Sequence, residues 1–87
     1  MFRLASLNDL KEGQKCVVTE ILIHGAMRRR LMDLGVIEGT EIECAMKSPC
    51  GDPAAFYIKG ALIALRMEDS SRIIVQSCDS KGEKNYG

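Results

Sequence analysis

Eighty-seven residues with 12 Lys and Arg against 12 Asp and Glu describe one small domain of level charge. That balance argues against a dedicated nucleic-acid binder, because phosphate recognition gives a domain a clear basic excess. Four cysteines, spaced 28, 6 and 28 residues apart without a Cys-x-x-Cys pair, match no zinc-finger ligand pattern.

No uninterrupted apolar run exceeds five residues, far short of a membrane-spanning helix. The first residues, MFRLAS followed at once by Asn8 and Asp9, lack the pattern of a secretory signal. A cytoplasmic protein with reduced cysteines is the expectation.

Along the chain, Leu4, Leu7 and Leu10 recur at a spacing of three, suited to a short turn that tucks leucines onto a core. Residues 14–23, QKCVVTEILI, have the composition of a strand. Alternation divides it into Val17, Thr19, Ile21 and Ile23 on one face and Cys16, Val18, Glu20 and Leu22 on the other. His24 and Gly25 close it. Residues 27–40, MRRRLMDLGVIEGT, then change the period. Met27, Leu31 and Leu34 fall at i, i+4 and i+7, one face of a short amphipathic helix anchored by those three side chains. Gly35 is placed as its left-handed C-cap, with Val36 as the apolar contact that accompanies such a cap.

Four further strands follow. Residues 40–47 alternate with Ile42, Cys44 and Met46 inward, and residues 54–59 with Phe56 and Ile58 inward. Between them SPCGDP, at 48–53, reads as a turn built on Gly51, Asp52 and Pro53. Gly60 reverses the chain into 62–66, with Ile63 and Leu65 inward. Glu68 and Asp69 open a short helical connector, and 73–75 is a last strand. The residues divide into a domain over 1–76 and a polar C-terminal tail over 77–87, expected to be disordered. Five short strands with one helical insertion make the chain mainly β, a small curled or closed barrel.

Candidate functional residues concentrate in the helix. Arg28, Arg29 and Arg30 point about 100° apart and cannot share one face, so at least two reach solvent. They form either a solvated face or a docking patch for an acidic partner or a phosphate. His24, the sole histidine, has no nucleophile signature beside it. It reads as a turn residue, and no catalytic constellation is present. Cys16, Cys44, Met27 and Met46 read as core, leaving Cys50 and Cys78 as the accessible thiols. No metal-ligand set emerges. Gly35 and Gly39 are placed in turns, where positive φ suits them.

In order and spacing, Arg30-Leu31-Met32-Asp33-Leu34-Gly35-Val36, Gly39-Thr40, Pro49-x-Gly51-Asp52-Pro53, Gly60, Ala64-Leu65-Arg66 and Ile73-x-Val75 resemble the FeoA family. The resemblance runs from about Leu7 to Val75. It implies an SH3-like β-barrel of about five strands with a helix inserted after the first, a module also similar to the C-terminal domain of DtxR-type repressors. It implies an accessory role beside FeoB, the membrane ferrous iron transporter with a cytosolic GTP-binding domain. It requires no cofactor, although Fe(II) or another transition metal is associated with the family. Glu38 and Ser70 stand where the family favours proline and alanine, and the tail after Val75 has no counterpart. Three functions follow in order: docking on the transporter's cytosolic domain, transition-metal sensing, and small-barrel nucleic-acid binding. Oligomeric state stays open.

Overall fold

The computed structural model describes residues 4–78. Six antiparallel strands, β1 (Leu4–Ser6), β2 (Lys15–Ile21), β3 (Glu41–Lys47), β4 (Ala54–Ile58), β5 (Ala61–Leu65) and β6 (Ile73–Ser77), form one sheet. Its order is β1-β6-β2-β3-β4-β5. The sheet curls around its core like a small barrel, yet β1 and β5 remain its two edges and do not pair with each other. Two helices, α1 (Ala26–Asp33) and α2 (Met67–Ser70), and a single 3-10 turn over Leu7–Asp9 complete the domain.

The mainly β, SH3-like reading holds, with an additional strand. β1 is only three residues long, too short for alternation to register, and its order comes from pairing Ala5 opposite Val75 of β6. Helix α1 therefore follows the second strand. At the other end β6 reaches Ser77, two residues beyond the strand expected over 73–75. The remainder of the expected tail, 79–87, lies outside the described residues.

Two β-bulges decide which side chains reach the core. In β2 the register against β6 shifts between Val18 and Glu20. An extra residue in one strand moves every later side chain to the opposite face. Cys16 and Val18 are thus buried before the bulge, and Ile23 after it, with Ile21 half-buried. Neither face of the expected strand is inward throughout. Thr19, at the bulge, donates its hydroxyl to the Ile74 carbonyl at 3.1 Å. In β3 the register against β4 shifts between Cys44 and Met46. Ile42 and Cys44 face inward as expected, but Met46 is turned outward and is 56% exposed. Phe56, Ile58 and Leu65 complete the centre of the core with Leu7, Leu31, Val36, Ile73 and Val75. Leu4, on edge strand β1, is exposed instead of joining Leu7 and Leu10.

Helix α1 ends in a Schellman motif. The Val36 amide donates to the Leu31 carbonyl and the Gly35 amide to the Met32 carbonyl, both at 2.9 Å. Gly35 takes φ +93°, which L side chains avoid. The chain then swings Val36 into the core. Thr40 locks this exit: its hydroxyl accepts the Ile37 amide at 2.9 Å and donates to the Gly35 carbonyl at 3.2 Å. Thr40→Val keeps the shape but strands the Ile37 amide. We expect a loss of about 1–3 kcal/mol, read from the urea midpoint at unchanged m-value.

The remaining turns are held as locally. Between β4 and β5, Lys59 (φ +51°) and Gly60 (φ +83°) form a two-residue hairpin of left-handed conformation. In the 48–53 turn the Gly51 amide donates to the Ser48 carbonyl at 2.8 Å. Asp52 reaches across to accept the Met67 amide at 2.8 Å, capping the start of α2. Gly39 and Gly51, like Gly60, have positive φ, as their assignment to turns requires. Ser70 is buried, its hydroxyl directed at the Asn8 side-chain oxygen at 3.4 Å.

Candidate docking surface around the inserted helix

The apolar arc of α1 is narrower than its sequence period suggests. Leu31 is buried and Met27 half-buried against the core. Leu34 is 36% exposed and is not an anchor. It occupies the C-cap, where the chain already turns into the Schellman motif, and Val36 fills the core position that a continued helix would have given it. The helix is thus held by Met27, Leu31 and Val36, two residues after its cap.

The three arginines separate by role. Arg28 is half-buried, and its Nη1 donates to the Ile21 carbonyl at 2.9 Å and to the Ile23 carbonyl at 3.4 Å. These bonds satisfy main-chain acceptors at the end of β2 and fix the angle at which α1 leaves the sheet. Arg29 and Arg30 are exposed. The triplet is therefore one structural arginine beside two solvent-facing ones.

Arg28 also lies between two concavities. One, of about 320 Å³, is lined by Glu20, Ile21, Arg28, Met32, Val36, Ile37 and Glu38. The other, of about 420 Å³, is lined by Gly25, Arg28, Arg29, Met32 and Asp33. Met32 borders both and is 53% exposed, and Ile37 on the first rim is 58% exposed. An apolar methionine and isoleucine flanked by Arg29, Glu20 and Glu38 give this surface an apolar centre and a charged rim, the composition that protein interfaces share. Methionine in particular adapts its shape to a partner. Met32 and Ile37 lie outside the 27/31/34 stripe, and the sequence pattern alone did not single them out.

Elsewhere the side chains offer little chemistry. His24 is exposed between β2 and the start of α1. Cys16 and Cys44 are buried, Cys50 is exposed in the 48–53 turn, and Cys78 is half-buried after β6. Burial pushes the Cys16 thiol up to about 12, with the neighbouring Cys78 adding to the shift. Among the described residues no three His, Cys, Asp or Glu side chains come together to hold a metal ion. None of the described helices is long and apolar enough to cross a membrane.

The described residues thus form a small, antiparallel SH3-like barrel with exposed apolar side chains beside α1, a fold that does not by itself fix a function. Residues 5–77 match the FeoA domain model, and the chain belongs to the FeoA family. It is 28% identical over 74 residues to an Fe(2+) transport protein A/Fe(2+) transporter FeoB fusion protein of Porphyromonas gingivalis. That match covers 85% of this chain and 9% of the fusion protein, so the chain spans only a small part of that relative. Among solved structures, the FeoA protein of Chlorobium tepidum is similar at 34% identity and a TM-score of 0.79, covering 84% of this chain and 70% of that one. The zinc-complexed FeoA of Stenotrophomonas maltophilia, described as an SH3 domain protein, is similar at 30% identity and a TM-score of 0.71, covering 80% and 87%. A manganese-dependent transcriptional repressor, at 18% identity and a TM-score of 0.76, shares the fold alone.

Proposed function

We propose that this chain is a non-enzymatic accessory module of bacterial ferrous iron uptake. It works in the cytoplasm and docks on the cytosolic GTP-binding domain of a FeoB-type transporter through the concave surface flanking α1. The observation that carries this reading is the exposed Met32–Ile37 pair, set over a groove with charges of both signs on its rim. Support also comes from the P. gingivalis relative, in which a segment similar to this chain is joined to the transporter in one polypeptide. Covalent linkage of that kind holds two weakly associating modules at high effective concentration. Fe(II) is then the transporter's cargo and not a ligand of this domain.

The test is calorimetric titration of the transporter's soluble domain with this chain. Met32→Asp and Arg29→Glu are each expected to weaken binding about tenfold or more, the scale of a residue near an interface centre. Circular dichroism should show both variants folded, since both side chains are exposed. Arg28 is a poor probe, because its removal also frees the end of β2. Wild-type affinity in both variants would sink the α1 surface as the docking site. Added Zn(II) is expected to leave the affinity unchanged; docking that appears only with Zn(II) would favour metal sensing instead.

A further inference from the structure

From the free edge of β5 we infer that this chain forms a weak two-fold dimer, joined by antiparallel pairing of β5 with β5 of a second copy. This surface is separate from the α1 groove.

The backbone geometry follows from the hairpin. β5 pairs only with β4, with Ile58 opposite Ala61, Phe56 opposite Ile63 and Ala54 opposite Leu65. A two-residue turn at Lys59 and Gly60 makes Ile58 and Ala61 a hydrogen-bonded pair, and hydrogen-bonded pairs then recur at every second residue. The amide and carbonyl groups of Leu62 and Ala64 consequently point away from β4, along the open edge. Both side chains are exposed as well, Leu62 by 55%.

Natural edge strands are blunted by lysine, proline, bulges or brevity. The other edge follows this rule: β1 has three residues, and the Ser6 amide is taken by the Asp9 carboxylate at 3.1 Å. β5 does not. Its sequence, ALIAL, contains no charge, no proline and no register shift against β4.

Self-pairing suits this edge better than any other arrangement of two copies. With Ile63 on the two-fold axis, Leu62 of each copy faces Ala64 of the other, and four main-chain hydrogen bonds form. The outward side chains meet as leucine against alanine. Arg66 falls opposite the uncharged Gly60 of the second copy and diagonal to its Lys59. Lys59 falls level with Met67 of the second copy, at the first turn of α2, which carries Glu68 and Asp69. Parallel pairing in register would instead set Lys59 beside Lys59 and Arg66 beside Arg66. An isologous contact of this kind closes at two copies. Five residues a side is small beside the roughly 20–30 of a standard interface, so the dimer is weak and reversible.

Sedimentation velocity over a rising concentration series of the full chain tests this, together with amide hydrogen exchange at the two ends of the series. The expected result is a monomer–dimer equilibrium in which exchange at Leu62 and Ala64 slows as concentration rises. Leu62→Lys puts two like charges diagonally across the same face of the seam, and Ala64→Pro removes an edge donor without touching the β4 ladder. Each should raise the dimer dissociation constant about tenfold or more. Leu62→Lys alters only an exposed side chain and keeps the test valid if the proline variant misfolds. A monomer at every concentration would overturn the proposal. So would a dimer unchanged in Leu62→Lys, or a series of growing oligomers in place of a closed pair.

Discussion

Leu31→Ala is expected to cost about 2–5 kcal/mol of folding stability, the range for emptying a buried leucine site. Leu31 is the only fully buried side chain of α1, and its carbonyl also receives the Val36 amide that closes the helix. A domain of this size has a stability of about 5–15 kcal/mol, so the variant should lose a large share of it. The measurement is a pair of urea denaturation curves at one pH. The comparison that gives the result meaning is Leu34→Ala, which removes a leucine from the same apparent stripe. Since Leu34 is more than a third exposed, its loss should be the smaller by well over 1 kcal/mol. Equal losses would mean that the helix is seated on the full 27/31/34 stripe after all.

Alkaline pH should destabilise the fold through Cys16. Burial, aided by the proximity of Cys78, raises this thiol from 9.0 to about 12 in the folded chain. Below pH 9 the thiol is protonated in both folded and unfolded states, and its full contribution to stability is present. Above pH 9 the unfolded chain releases the proton while the folded chain retains it, so stability falls as pH rises toward 12. The slope approaches about 1.4 kcal/mol per pH unit, with about 4 kcal/mol as a ceiling across the window. Burial also raises Cys44, with the same sign. Cys16→Ala leaves a small cavity and starts from a lower stability at pH 8. Its stability should nevertheless fall less steeply between pH 9 and 11. Parallel slopes for the two proteins would show that other groups carry the alkaline sensitivity.

The parts of this fold legible in the sequence are those governed by local rules. The hairpin of β4 and β5, with Phe56, Ile58 and Leu65 inward, follows from alternation and a glycine turn. The α1 exit follows from Gly35 and Val36 at fixed offsets from the helix. What escaped depends on distant partners. A bulge adds one residue opposite a neighbouring strand, and nothing in TEILI or ECAMK marks where that residue falls; hence the mixed face of β2 and the outward Met46. β1 is ordered by β6, some seventy residues away. Leu34 has a helical period but lies where the backbone has already left the helix.

The same division holds for the site. The arginine run is plain in the sequence of α1, but charge spacing could not separate Arg28 from its neighbours. Its bonds to the Ile21 and Ile23 carbonyls depend on the angle between α1 and β2. The apolar rim of Met32 and Ile37 required knowledge of which helical face the core leaves uncovered.

One contact joins two otherwise distant regions. A Cβ built on Gly35 would lie 3.0 Å from Cε and 3.3 Å from Cδ of Lys59. The absent side chain at the helix exit is therefore the seat for a lysine stem from the β4–β5 turn. A side chain at position 35 would displace that stem, so glycine there serves the hairpin tip as well as the helix exit. Lys59 itself stands two residues before β5 begins. The lysine stem thereby lays one side chain between the exit of the helix and the turn that leads to the open edge of the sheet.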